Sequence, residues 1–375
     1  MTGSLQGSNG RRRLRWGRVA LVSLGLVLLL LVRQGACARL APIEGGRHGD
    51  FVLGALHVHS VASDGRGTIE EIAAAAKAAG LSFVIMTDHN VTPAPPPRRV
   101  DGVLVVHGVE VSTSDGHLLV LGADGTLPPP PRTGPEAVAW GEAQQAFLAL
   151  AHPVQRKNPW KDPESGARVP GFELYSADTL FRDALARPLH RLLPSALGWL
   201  GDRRHGVLGL VDGQPAVHEA LLGRNGVPVA LCSHDAHGLP PYRDVFATMA
   251  TAVPAEVLEG SDTEAAAALL AAVASGRSLC VFQALGPPAG FSVQGVPASR
   301  QVPVGAQLTF TLPGNAPEGA ALRLFGPGRL SGDGREVLTT GEGLLQVEVW
   351  APAPGRFFGS TMKPWLVPGP VRVVR

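Results

Sequence analysis

Cysteine, aromatic residues and an excess of either charge are all scarce in this chain. Three cysteines in 375 residues exclude a small scaffold held together by disulfides. Aromatics make up only 5%, and no run of Lys and Arg interrupts the body of the chain, which argues against non-specific nucleic-acid binding as its main task. Acidic residues are absent from residues 1–38, where Arg11, Arg12, Arg13, Arg15, Arg18 and Arg33 all lie. With those six set aside, 27 basic residues face 31 acidic ones, so the body carries a net charge of −4 rather than the +2 of the whole. What is present is a globular composition, 45% hydrophobic, of a length that suggests two domains. The 47 glycines and 33 prolines imply many loops.

Val19 to Val32 is an uncharged apolar run with arginines on its N-terminal flank, and Ala36-Cys37-Ala38 follows as an A-x-A cleavage site. Residues 1–38 therefore read as a signal peptide or, uncleaved, a signal anchor, with the run of about 14 residues short of the roughly 20 that span a bilayer. Either outcome places the body outside the cytoplasm, periplasmic or extracellular, with residues 19–32 holding it in the inner membrane if uncleaved. Cys37 is a poor lipidation site because Gln34 stands where an aliphatic residue is expected.

Residues 39–50 form a linker, and from Phe51 onward strand-like runs alternate with helix-like ones. Strands are expected at Phe51–Val58, Leu81–Met86, Gly102–Val111, His117–Gly122, Ala146–Ala151, Gly171–Tyr175, Val207–Leu210 and Val227–Cys232. Helices are expected at Thr68–Ala79, where Thr68 and Glu71 form a capping box, and at Pro135–Gln145, Asp178–Ala186, Gln214–Leu222 and Thr263–Ser275. Such alternation implies α/β architecture with a parallel sheet, open or closed into a barrel, over residues 51–285. Pro93–Pro97 and Pro128–Pro131 are loops. Residues 286–375 change to short period-two runs broken by Gly and Pro, the pattern of a small β-sandwich.

Histidines and carboxylates gather at the ends of these strands, where α/β folds place their active sites. His57 and His59 flank Val58, and a period of two puts both on one face of the strand. Asp64 follows in a Ser-Asp-Gly turn. Asp88-His89, Glu110, His117, His152 and the pair Asp235 and His237 lie at later strand ends. A lone histidine on an apolar strand is usually structural, but so many titratable groups together would be buried without partners unless they bound a cation. Imidazole and carboxylate without thiolate suit Zn, Mn or Fe, and more than four ligands imply more than one divalent metal ion. Bridged ions favour hydrolysis, and Glu110 is the best-placed bridge.

His57-Val-His59-Ser-Val-Ala-Ser-Asp64-Gly, Thr87-Asp88-His89, Gly108-Val-Glu110, His117, Ala151-His152-Pro153 and Asp235-Ala-His237 resemble, in order, the motifs of the PHP (polymerase and histidinol phosphatase) metallohydrolases. The resemblance implies a distorted seven-stranded (β/α) barrel with a trinuclear centre. One ion would take His57, His59, Glu110 and Asp235, a second Glu110, His117 and His152, and a third Asp64, His89 and His237. Asp88 would orient a ligand or the nucleophilic water. His234 departs from the pattern, since a small residue is usual before the Asp; it would add a ligand or a proton donor, or line the mouth. The closing segment Lys363-Pro-Trp365-Leu-Val-Pro-Gly-Pro-Val-Arg resembles the tail of an exported branch that includes carbamate hydrolases.

The expected activity is phosphoester hydrolysis by a metal-bridging hydroxide, with Glu110, Asp88, Asp235 and His237 in the catalytic machinery. The substrate is a small-molecule phosphoester; amide, ester or carbamate hydrolysis is the alternative, and a non-catalytic metal-holding binding module a third. Arg156 and Lys157, directly after the Ala-His-Pro motif, would anchor an anionic substrate or form an ordinary charged loop. Glu173 and Tyr175 reach the site or pack at the rim of the core. An exported compartment permits a disulfide between Cys232 and Cys280, but buried free thiols are the expectation, since strand Cβ atoms must come within about 4.5 Å to bridge. No nucleic-acid partner is expected, and the membrane is a partner only through an uncleaved N-terminal segment.

Overall fold

The computed structural model describes residues 8–37, 40–128, 132–353 and 361–375. Ala38 of the expected cleavage site and Pro129–Pro131 of the second proline loop lie outside them. The N-terminal segment is a helix, Ser8–Cys37, whose residues from Arg15 to Leu30 are exposed. Among the described residues no helix is long and apolar enough to cross a membrane.

Ten strands frame the metal-donor motifs: β1 Phe51–Val58, β2 Phe83–Met86, β3 Val103–His107, β4 Val109–Thr113, β5 Gly116–Leu121, β6 Phe147–Ala151, β7 Gly171–Ser176, β8 Val229–Ser233, β9 Ala250–Pro254 and β10 Leu279–Val281. They form two sheets. In the first, β1, β2 and β3 run parallel, and β9 and β10 continue it antiparallel beyond β1. In the second, the order is β8-β7-β6-β5-β4, parallel from β8 to β6 and antiparallel from β6 to β4. The expected seven-stranded barrel therefore does not close. Between the sheets lie isolated bridges, Val58 to Ala236 and His89 to Glu110, in place of continuous ladders.

Gly108 explains one of these seams. The run Gly102–Val111 is two strands, because the chain leaves the first sheet after His107 and enters the second at Val109. A Cβ at Gly108 would sit 2.5 Å from Leu121 Cδ2 and 2.9 Å from Val120 O, so only glycine lets the chain cross so close to β5. Helices fall where the capping signals place them. Thr68 accepts from the Glu71 N–H at 3.2 Å while Glu71 Oε2 accepts from the Thr68 N–H at 2.9 Å, opening the helix Ile69–Ala78. Val207–Leu210, expected as a strand, is the end of the helix Arg203–Leu210, capped by Asp202 accepting from the Arg204 N–H; four apolar letters do not separate a strand from a buried helical turn.

Three further strands, β11 Gly343–Ala353, β12 Thr361–Pro368 and β13 Val371–Val374, extend the first sheet, because β12 pairs with β10 from Leu279–Pro368 to Val281–Leu366. The sheet that carries His57 thus runs unbroken into the C-terminal strands. A separate four-stranded sheet, from Ser292–Gln294 to Glu336–Thr339, covers them. Cys232 and Cys280 form a disulfide, which corrects the expectation of free thiols. Thr251 pairs with Cys280 across β9 and β10, and its hydroxyl donates to Cys232 O at 2.7 Å, which brings the two Cα atoms to 5.1 Å.

A buried carboxylate joins the C-terminal strands to the core. Glu348 of β11 accepts from His218 Nε2 at 2.7 Å, Trp350 Nε1 at 2.8 Å and the Tyr175 hydroxyl at 3.1 Å. His218 Nδ1 also faces the Gln214 carbonyl at 2.9 Å, so both ring nitrogens meet acceptors and the ring is held as imidazolium. Burial opposes that charge, but Glu348 raises the His218 pKa above 6.5. The pair's contribution to stability is complete below about pH 6.5 and is lost as pH rises through the raised value. Glu348→Gln is expected to cost about 3 kcal/mol at pH 6 in thermal or urea unfolding of metal-loaded protein, with the deficit shrinking as pH rises. A deficit that stays constant with pH would refute the ionic pairing.

Candidate metal centre

The donors lie along the seams between the two sheets. At His57 the register of β1 against β2 shifts, and the residue takes a left-handed φ of 64°, so a bulge rather than simple alternation turns its ring to the side of His59. The segment from Asp235 to His237 is laced beside it: the His59 N–H donates to Ala236 O at 3.0 Å and the Ala236 N–H to His57 O at 3.2 Å. Two more donors, His152 at φ 32° and Asp235 at φ 46°, share the left-handed conformation. For non-glycine residues that conformation costs of order 1 kcal/mol each, and it persists where the surroundings over-determine it.

Glu110, completely buried on β4, is the centre of the cluster. Its Oε2 lies 3.0 Å from His57 Nε2, 3.2 Å from His59 Nε2 and 3.3 Å from His89 Nδ1, and its Oε1 lies 2.8 Å from His117 Nδ1 and 3.1 Å from His152 Nε2. Asp235 Oδ1 is 3.4 Å from His57 Nε2 and 3.3 Å from His59 Nε2. Asp64 Oδ1 stands 3.6 Å from His59 Nδ1 and 3.3 Å from His237 Nε2, and its Oδ2 is 3.8 Å from His89 Nε2. Among the described residues three overlapping groups can hold a cation: His57, His59, Glu110 and Asp235; His89, Glu110 and His117; and His59, Asp64, His89 and His237. The first is the set the sequence motifs imply. In the second His89 stands with Glu110 and His117, with His152 on the same carboxylate oxygen as His117.

The residues fit metal on two counts. His57 Nε2, both nitrogens of His59 and Glu110 Oε2 are buried without a hydrogen-bond partner, although they converge on one another. Their separations also match a coordination polyhedron: bonds of about 2.0–2.1 Å to Zn²⁺ give a tetrahedral edge of about 3.4 Å. Neighbouring residues aim the donors. Glu173, itself buried, accepts from His57 Nδ1 at 2.7 Å and from the His152 N–H at 2.7 Å, which leaves His57 Nε2 free to point inward. His237 Nδ1 is similarly bound to Asp235 O at 2.9 Å. Asp88 spends both oxygens on one turn, accepting from the Ser60 N–H and Ser63 hydroxyl at 2.7 Å and from the Ser60 hydroxyl at 2.8 Å. It fixes the segment between His59 and Asp64.

Without metal, protons balance this charge. Burial opposes protonation of His59, but Asp235 and Glu110 raise its pKa to about 9; His152 is likewise raised to about 9, against burial, by Glu110 and Asp235. Glu110 and Asp235 are held well below the carboxylate range, against their own burial, chiefly by His57.

Three solved structures are similar to parts or most of this chain. A two-domain protein from Bacteroides vulgatus containing a predicted PHP-like metal-dependent phosphoesterase aligns at TM-score 0.41 and 15% identity, over 87% of this chain and 99% of its own. A proposed metal-dependent phosphoesterase from Bifidobacterium adolescentis aligns at TM-score 0.27 and 14% identity, over 40% of this chain and 86% of its own. An amidohydrolase from Chromobacterium violaceum, with sulfate bound, aligns at TM-score 0.28 and 16% identity, over 49% of this chain and 87% of its own. No protein-family model matches the chain, and no curated protein matches it.

One expected substrate contact is placed elsewhere. His234 does not line the mouth: it is fully buried, its Nε2 donates to Met249 O at 2.8 Å, its Nδ1 accepts from the Leu56 N–H at 3.3 Å, and burial lowers its pKa, so it acts as a neutral brace beneath His57. Arg156 and Lys157 are exposed in the loop after His152. A cation whose charge couples to the donors is Arg182, which pairs with Asp178 one helical turn earlier. Burial lowers the Arg182 pKa, but Asp178, Asp235 and Asp64 together raise it above its ordinary value. The four-residue spacing of Asp178 and Arg182 was visible in the sequence; their nearness to Asp235 was not.

Two outcomes follow. Stability that His59 and His152 gain from their carboxylates is present below about pH 6.5 and lost as pH rises through about 9. Metal-free protein is therefore expected to lose thermal stability from about pH 7 to about pH 10 while the Zn²⁺-loaded protein does not, and loading at about pH 7 in weak buffer releases protons. Parallel pH profiles with no proton release would contradict the cluster's electrostatics. Glu173→Gln should weaken metal binding about ten- to hundredfold by calorimetry; undiminished affinity would show that His57 needs no orienting carboxylate.

Proposed function

We propose that this chain is an exported, metal-dependent phosphoesterase of PHP type, working with two or three divalent ions, Zn, Mn or Fe. The observation that carries this reading is the sharing of buried Glu110 among donor groups that contain no thiolate. Divalent ions held there supply Lewis acidity and a nucleophile usable near neutral pH. Glu110 spaces the groups, offering one oxygen toward His57, His59 and His89 and the other toward His117 and His152. Asp235 completes the most buried group, and Glu173 and Asp88 keep donors and turn in place. Arg182 presents positive charge to an anionic substrate at the rim. His237 and Asp64, partly exposed, mark the open side where a leaving oxygen meets solvent and takes its proton.

The full chain, loaded with Mn²⁺ or Zn²⁺, is expected to release alcohol from aryl phosphate and to lose that activity with chelator. Glu110→Gln, or His57→Ala with His59→Ala, should lose metal and lower kcat/KM about a thousandfold, with the circular dichroism of the fold retained. Full activity in either variant would overturn the assignment. Cleavage of aryl ester or carbamate alone would select the amide, ester or carbamate reading. A reporter carrying residues 1–38 should appear outside the cytoplasm; its retention would refute export.

A further inference from the structure

Beside the metal donors the chain builds a pocket that their chemistry does not require. A cavity of about 300 Å³ opens between the helices Ala177–Leu185, Leu193–Gly201 and Arg203–Leu210 and the loop after His237. Phe181, Leu192, Ala196, Trp199, Leu210 and Leu239 line it. The Ser195 hydroxyl on its wall is turned to the Gly206 carbonyl, so it offers no free polar group there. Leu210, Leu239 and Pro240 also line the crevice whose other side is Asp178, Asp235 and His237, so the two spaces share a wall. The volume is about twice the roughly 150 Å³ that suffices for benzene in an engineered apolar cavity.

Arg182 follows Phe181 directly, so a cation stands one residue from the apolar wall on the same helix, paired with Asp178, which lines the neighbouring crevice. Leu189, Leu193 and Leu200 are exposed on the segments that carry the wall, extending the apolar surface outward. A polar sugar or nucleoside would leave its hydroxyls unpaired against such a wall, at a cost its phosphate contacts would have to offset.

Resting on the phosphoesterase reading above, we propose that the substrate is a phosphoester of an apolar, ring-sized or larger alcohol, with the phosphate at the donors and Arg182 and the alcohol in the Phe181–Trp199 pocket. Hydrolysis forms a bond from water oxygen to phosphorus and breaks the bond from phosphorus to the alcohol oxygen. The alcohol leaves carrying one proton of the water, and the other passes to the phosphate or to solvent.

The test compares 1-naphthyl phosphate with glycerol 3-phosphate on the metal-loaded full chain. The kcat/KM ratio is expected to favour the naphthyl ester by about thirtyfold, the order that burial of one ring system supplies. Ala196→Trp, which fills the pocket, should lower that ratio at least tenfold, and Arg182→Gln should raise KM for both esters. Independently, 1-naphthol should quench the fluorescence of metal-free wild-type protein, and less so that of Trp199→Phe. Equal turnover of the two phosphates, or a ratio unmoved by Ala196→Trp, would overturn the proposal while leaving a phosphoesterase. No phosphate release from either ester would overturn the reading beneath it, and with it the phosphoester class. Quenching by naphthol would then still report an apolar site, and its absence would remove the pocket as well.

Discussion

A carboxylate with no access to water sits at the centre of this molecule, and the surrounding structure answers to it. Glu110 is fully buried and faces five imidazoles. Isolated, such a charge would be driven to take up a proton, because desolvation in a protein interior costs several kcal/mol per ion. Here positive charge must come either from protons on the histidines or from cations among them. The two solutions compete for the same lone pairs, which is why His57, His59 and His152, which face Glu110, are also held protonated without metal. A centre of this kind is a proton store until it is loaded.

The fold places that charge where its sheets fail to join. Regular ladders satisfy backbone groups and leave little room for side chains to converge from several strands. Single bridges at Val58–Ala236 and His89–Glu110 release the strand ends and let donors from both sheets meet. Rigidity comes from the flanks: Glu173 ties β1 to β6, His234 ties β1 to the start of β9, and the pairing of β10 with β12 couples this framework to the C-terminal strands.

Much of this was legible in the sequence because strand ends punctuate it clearly. His57-Val-His59, Glu110 and Asp235-Ala-His237 each stand beside an apolar run, and the capping box at Thr68 marks its helix to the residue. What was not legible depends on separations across the fold. Whether Cys232 meets Cys280 is set by the pairing of β9 with β10, and whether His234 faces inward or outward is set by a left-handed turn at the next residue. Arg156 and Lys157 were conspicuous because they follow a motif. Arg182 lies 30 residues beyond His152 and approaches the donors through a helix whose direction no local pattern reveals. Closure of the barrel failed for a similar reason: alternation of strands and helices orders the elements but does not fix which edges meet.

The left-handed backbone at His57, His152 and Asp235 has a consequence for laboratory evolution. Glycine at any of these positions would relieve the conformational penalty and, at the same stroke, remove one member of a crowded set of charges. A library of this protein selected only for expression or heat resistance would therefore drift toward glycine at its own active centre, giving up chemistry for robustness. Selection would have to be carried out with metal present, so that the donors contribute to survival as well as to turnover.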